Sequence, residues 1–400
     1  MTWLIAMTLL GCGTSEPPAD PGPPPAPVEA PTPSDDEDET ARLQSLGYLD
    51  YIDPAEDGDG VLHHDADQAW QSPTLVTVRP RRSALLLGMD GEVLHQWTHG
   101  PRGVWERAYL LPDGDLLAIT WRPKMERNPR SLVRLGWDSA LRWESSLAVH
   151  HDVTLAPDGR LSTLVLEFRD VGRNLPVRDD CIAFLDLETG AEQERVCFYD
   201  MIQAKPEVFP MKTIKAVGGK PGDRHYDIFH TNAIHWIEDA DLASIFPEWK
   251  TGRVLICFRH QDRVALFDLE SKEVVWAWGA DELQGPHDAR ILPNGNVLIF
   301  DNGLAKRKWS RVIEVDPNTN AIVWSYQAPE RADFFTGSRG SNQRLPNGNT
   351  LITSSEQAEV FEVTTDGEIV WRWRLPKTER ERRLPSLIRG YRVDPAILDR

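Results

Sequence analysis

From Thr74 onward the chain repeats one two-part pattern of apolar and polar positions. The first part is a short apolar run, then a Pro-Asp-Gly or Pro-Asn-Gly turn, then a second apolar run. Pro112-Asp113-Gly114, Pro157-Asp158-Gly159, Pro293-Asn294-Gly295 and Pro346-Asn347-Gly348 mark four copies. The second part alternates Val, Ile and Leu with polar residues through an acidic turn and closes on tryptophan, as in 84–97 and 311–324. Other copies close at Trp143, Trp276 and Trp371, and a degenerate one near Val196, which makes six. Alternation with a period of two, interrupted by glycine turns, predicts antiparallel strands rather than helices.

Four strands that pair only with sequence neighbours form a sheet that cannot bury both faces alone. Stacking such sheets around an axis buries both and leaves only short edges. The pattern therefore predicts an all-β fold, a six-bladed β-propeller of four-stranded antiparallel blades, over residues 74–375. The blades fall at 74–97, 107–143, 151–197, 230–277, 287–325 and 341–373, with an insertion at 238–250. The 15 tryptophans fit this picture as packing between blades, where each indole buries about 150–250 Å². Residues 376–400 read as a C-terminal tail packing on the ring and helping it to close, and 41–73 as an N-terminal extension.

The N-terminus has a different composition. Residues 1–12 are an apolar run ending Leu9-Leu10-Gly11-Cys12, which resembles a bacterial lipoprotein signal, although no Lys or Arg precedes the run. Such a segment is too short to span a bilayer. Residues 13–40 are rich in Pro, Asp and Glu and cannot form a core, as expected of a tether. The expected location is the bacterial cell envelope, periplasmic face or cell surface, with the membrane as a partner through lipid on Cys12. Four cysteines are present; Cys181 and Cys197 lie eight residues either side of Thr189 and could face each other across a hairpin, as a disulfide or as two thiols.

Candidate chemistry lies where the innermost strands begin, because those residues point toward the axis. In blades 2 to 6 these positions hold Arg107, His151, His230, His287 and the stretch 339–343, which includes Asn342. Three histidines at matching positions of consecutive repeats point to a shared axial site. Of His150 and His151, strand alternation leaves only one to face it. The loop after Asp301-Asn302-Gly303 is basic and brings Arg307 and Arg311 as partners for an anion. Trp105 and Tyr226 are candidates to line the mouth. Net charge of −18 excludes nucleic acid as a partner but not a small anion in a local basic funnel.

Phe229-His230-Thr231-Asn232, Gly285-Pro286-His287-Asp288-Ala289, Asp301-Asn302-Gly303 and 342–352, together with the blade pattern, resemble the bacterial arylsulfate sulfotransferases over residues 74–375. The resemblance implies an exported six-bladed propeller that moves a sulfuryl group from an aryl sulfate to a phenol through a sulfohistidine, with no cofactor and a small anionic aromatic substrate. It gives His230 and His287 the role of anion-binding histidines and one of Arg307 or Arg311 that of the family arginine. The family nucleophile is a histidine in a late blade, and this chain has none after His287. His151, His230 and His287 are then the nucleophile candidates, His287 or His151 ahead of His230, with the remaining histidines and Arg107 or Arg307 to hold the sulfuryl oxygens and Asn342 beside them. Two other readings stay open. Three imidazoles, from His151, His230 and His287, could hold zinc or another divalent metal for hydrolysis. A lipid-anchored propeller could also be a non-catalytic binding module.

Overall fold

Each repeat folds into one antiparallel sheet, and six sheets stand around a common axis. The structure, a computed structural model, describes residues 58–79, 81–100, 104–121, 130–218, 224–304, 307–377 and 386–399. The residues read as a signal segment and tether, with Cys12, and most of the expected N-terminal extension lie outside these residues. From the axis outward, blade 2 is Val104–Leu110, Leu116–Trp121, Arg130–Leu135 and Leu141–Ser145. Blade 3 is Val149–Leu155, Leu161–Arg169, Val177–Leu185 and Glu192–Cys197. Blade 4 is Thr231–Trp236, Val254–Phe258, Arg263–Asp268 and Glu273–Trp278. Blade 5 is His287–Ile291, Val297–Asp301, Arg311–Val315 and Ile322–Tyr326.

The ring closes through both flanks of the repeat region. Blade 1 takes its innermost strand from Ser386–Arg392, followed by Thr74–Arg79, Ser83–Leu87 and Val93–Thr98. Blade 6 runs Ser341–Arg344, Thr350–Ser354, Glu359–Val363 and Ile369–Arg374, and Gly60–His64 adds a fifth strand at its outer edge. The segment after Leu375 does help the ring close, as an inner strand rather than as a tail packed on it, and 74–79 is a second strand, not a first. Pairing with a partner roughly three hundred residues distant leaves no local turn signal, so periodicity missed it.

The Pro-Asx-Gly turns explain the first half of each repeat. In all four the Asx side chain accepts the backbone N–H two residues on, at 2.9, 3.0, 3.1 and 3.1 Å. The glycines that follow sit at φ +79° to +89°, where a side chain would be strained.

Six apolar clusters fill the wedges, one between each pair of neighbouring blades. The closing wedge packs Val76, Val78 and Leu85 of blade 1 on Val360, Trp371 and Trp373 of blade 6. Trp97 and Trp371 are fully buried and Trp143 nearly so, whereas Trp276 and Trp324 are only partly covered. Trp105 lies buried in the wedge between blades 1 and 2, so it does not line the mouth. The insertion forms a short helix, Leu242–Ile245, and buries Trp249, whose Nε1 donates to Gly295 O at 2.7 Å and ties blade 4 to blade 5.

Cys181 and Cys197 are directly paired across the outer strands of blade 3 and form a disulfide. Cys257 is a buried free thiol. With its ends 16 positions apart in the chain, the cross-link is expected to contribute about 3 kcal/mol by restricting the unfolded chain. Cys181→Ser with Cys197→Ser should lower the urea unfolding free energy by that order; an unchanged midpoint would show that the bond carries no stability.

Candidate active site on the propeller axis

Irregular backbone places the axial side chains. The innermost strands of blades 1 to 5 each carry a register shift against their neighbour, and that of blade 6 pairs without one. His151, His230, Asp288 and Arg339 have φ between +47° and +63°, a conformation that costs a non-glycine residue on the order of 1 kcal/mol. Gly285, before Pro286-His287, is at φ +67°, and a Cβ there would meet Leu304 at 2.3 Å. The bulges break strict alternation. His150 therefore joins His151 in the site, and Arg290 turns inward together with Asp288.

Around the mouth the chain gathers a histidine cluster. The rings of His151 and His230 are 4.9 Å apart, and those of His230 and His260 are 4.5 Å apart. His150 Nδ1 lies 2.9 Å from His151 Nδ1. Asp227 organises the group. Its Oδ2 accepts from His230 Nδ1 at 2.6 Å and from Arg178 Nη1 at 3.2 Å, and its carbonyl accepts from His260 Nδ1 at 2.6 Å. Arg178 also donates to Asp180, which accepts from both the backbone and the hydroxyl of Thr231. Arg178 and the neighbouring histidines hold Asp227 well below the usual carboxylate range, despite burial. It is thus ionised and can only accept, so the His230 proton sits on Nδ1 and the Nε2 lone pair stays available. Burial pushes His230 down to about 3, with His260 and Arg259 adding to it against the pull of Asp227. Protein surrounds the ring in depth, yet its side chain keeps 22 % of its surface open.

His287 is held differently. Its Nδ1 donates to Asn302 Oδ1 at 2.7 Å and lies 3.1 Å from Gly285 O, while Nε2 accepts the Arg339 N–H at 3.2 Å. Both nitrogens are engaged, and burial with Arg259 pushes the group down to about 3. Asn302 in turn donates to Thr336 O and Arg339 O. The Gly-Pro-His-Asp and Asp-Asn-Gly motifs are thereby explained as the tie between blade 5 and the segment leading into blade 6.

One residue further along the strands, a charged network bridges the axis. Arg107 of blade 2 pairs with Asp152 of blade 3 at 2.9 Å. Arg290 reaches Asp288 at 2.6 Å and Asp152 at 3.6 Å, and Arg389 of blade 1 reaches Asp288 at 3.1 Å. Blades 4 and 6 contribute too, since Ile234 N donates to Asp152 and both Asn342 N and Nδ2 donate to Asp288. Three guanidiniums thus face two carboxylates. Burial, Arg107 and Arg290 push Arg389 down to about 9, and Asp288 is held low by Arg290 and Arg389 against burial.

Of the residues singled out in the sequence, the structure brings His151 and His230 together and sets Arg107 and Asn342 in the charged network. His287 is fixed apart, so His151, His230 and His287 do not form a metal-ligand triad. Among the described residues, the mouth group whose ligand atoms lie within 4.8 Å of one another is Asp227, His230 and His260. Arg307 is spent on structure: it pairs with Asp301 at 2.8 Å, donates to Trp309 O and lies over the Trp309 ring, while Arg311 shares Asp301. Tyr226 sits under Arg173 and bonds Asn174 through its hydroxyl. Asp227, Arg178, Asp180, His260 and Arg389 were missed. Asp227 lies three residues before His230, and His260 lies two residues past the second strand of blade 4, next to the position that Asn302 holds in blade 5; both signals were present in the sequence.

Fold and site together define a propeller with a histidine and arginine centre on its axis. The chain matches the arylsulfotransferase (ASST) family over residues 134–375 and belongs to that family. Arylsulfotransferase-like function is thereby supported in general. A comparison with curated proteins finds no match. Similar solved structures include a protein of unknown function from Bacteroides caccae (12 % identity, 76 % of this chain and 94 % of that one, TM-score 0.48). Others are a catalytically inactive virginiamycin B lyase from Staphylococcus aureus with quinupristin (8 %, 78 % and 87 %, 0.42) and hydrazine synthase of Kuenenia stuttgartiensis (12 %, 79 % and 79 %, 0.44). At these values they bear on neither the site nor its chemistry.

Proposed function

We propose that the protein moves a sulfuryl group from an aryl sulfate to a phenolic acceptor, with His230 Nε2 as the atom that takes it. The observation that carries this reading is the Asp227–His230 bond, which fixes the proton on Nδ1 and leaves a neutral Nε2 lone pair on a side chain that keeps 22 % of its surface open. Attack on sulfur forms the N–S bond as the aryl O–S bond breaks, and the phenolate leaves. The acceptor oxygen then attacks sulfur, the N–S bond breaks, and the acceptor proton passes to solvent or to the departing phenolate. His151, His260 and Arg178 surround the place where negative charge collects on the sulfuryl oxygens, in a site that protein largely walls off from water.

A divalent metal is the weaker reading. Asp227, His230 and His260 have suitable spacing, but both imidazole Nδ1 atoms already donate to Asp227 and the carboxylate also carries Arg178. A donor set crowded by a guanidinium suits an anion better than a cation. The same reading places the propeller outside the cytoplasm, held by lipid on Cys12, and the Cys181–Cys197 disulfide supports export. Incubation with 4-nitrophenyl sulfate and phenol, with and without chelator, tests the proposal. Transfer that survives chelation, with a trapped sulfuryl adduct on His230, is expected. Loss on chelation would favour the metal, and no transfer from any aryl sulfate would leave a binding module.

A further inference from the structure

Leu161–Arg169 and Val177–Leu185 are the longest strands of the ring, with nine residues each. Their innermost neighbour begins with Val149, opposite Val165. Beyond that point the pair continues as a ribbon, with Leu166 opposite Asp180 and Phe168 opposite Arg178. Residues directly opposite in an antiparallel pair share a face, and residues two apart return to it. Arg178 and Asp180 face the histidine cluster, so Phe168 and Leu166 share that side. The parallel pairing of Arg178 with Asp227 brings Asp227 to the same side, and His225, two residues earlier, follows it. His225 meets Phe168 edge to face, with ring centroids 5.1 Å apart. Along one face the chain therefore presents an aromatic corner, then a guanidinium, then the His230 site.

Phe168 is 55 % exposed, while Arg178 and Asp180 on that face are held by Asp227 and Thr231. We propose that Phe168 and His225 form the docking corner for the aryl ring of the sulfate donor, while its anionic end points toward Arg178 and His230. This inference rests on the sulfuryl-transfer reading for the identity of the ligand, and it assigns the aromatic half of the substrate to blade 3. The charge order supports it: Arg178 stands directly across the ribbon from Phe168. A flat ring against the corner gains both an aromatic face and an edge. An alkyl sulfate reaches the same cation without filling the corner.

The test is direct binding of 4-nitrobenzenesulfonate, an aryl anion with no transferable group, by calorimetry, with methanesulfonate as the control. Phe168→Ala should weaken the aryl sulfonate roughly 3–10-fold, the range of an aromatic pair, and leave methanesulfonate unchanged. Phe168→Gln guards against a folding artefact and should behave alike. Equal binding by wild type and both variants, or no binding by wild type, overturns the corner. Equal losses for both sulfonates also overturn it, because the effect is then not on the ring. Wild type that binds the aryl probe in a Phe168-dependent way yet transfers nothing keeps the corner and sinks the transfer reading, so the two failures are distinct.

Discussion

Replacing His230 with alanine is expected to lower kcat for an aryl sulfate donor by about 10³-fold or more, the loss typical of a removed nucleophile. The fold should survive, because the ring is partly open and its hydrogen bond runs to Asp227. Asp227→Asn tests the orienting bond separately. An amide can donate to the imidazole and reverse its tautomer, and the cost expected by analogy with other carboxylate–histidine pairs is roughly 10²–10⁴-fold in kcat. KM should change less than kcat in both. His287→Ala is the contrast. It removes an imidazole whose two nitrogens bridge Asn302 and the Arg339 backbone, so it should lower thermal stability more than it lowers the rate constant of surviving enzyme. If His287→Ala stays folded and loses as much activity as His230→Ala, the nucleophile has been placed on the wrong ring.

The second large effect concerns stability. Asp288→Ala is expected to destabilise the fold by about 3–5 kcal/mol, because it strips one carboxylate from a buried network of three guanidiniums. The change also removes the acceptor for Asn342 N. Urea denaturation of the variant measures the loss. Adding Arg389→Leu should recover part of it, since that removes a cation left unpaired; the two changes should couple by more than about 0.5 kcal/mol. A loss under about 1 kcal/mol for Asp288→Ala would mean that solvent, not protein, balances the axis.

Much of the ring was legible because its repeat is written locally. A proline, an Asx side chain that accepts the turn N–H, and a glycine at positive φ recur at 112–114, 157–159, 293–295 and 346–348. Apolar alternation does the rest. That the segment after Leu375 helps the ring close was legible, but its place as the innermost strand was not, since Ser386–Arg392 pairs with Thr74–Arg79 and nothing local announces it. The site was half legible. Repeat alignment found His151 and His230, which do meet, and also His287, which does not join them. Bulges decide that outcome, and no pattern of residue types records them. Asp227 lies on a two-residue strand that pairs with the third strand of blade 3, outside the repeat, so alignment of blades passes over it. Arg389 was hidden for the same reason as the strand that carries it.

That strand makes the axis a check on the finished chain. Five of the six innermost strands come from the run of residues between Val104 and Arg344, but the sixth is synthesised after all of them. Until Ser386–Arg392 slides between blades 6 and 2, Thr74–Arg79 is an uncovered inner edge, and Asp288 lacks one of its cations. A ribosome that stalls before this strand therefore releases an open ring with an unbalanced charge at its centre. Such a product presents an unpaired strand edge, the feature that invites pairing with another chain.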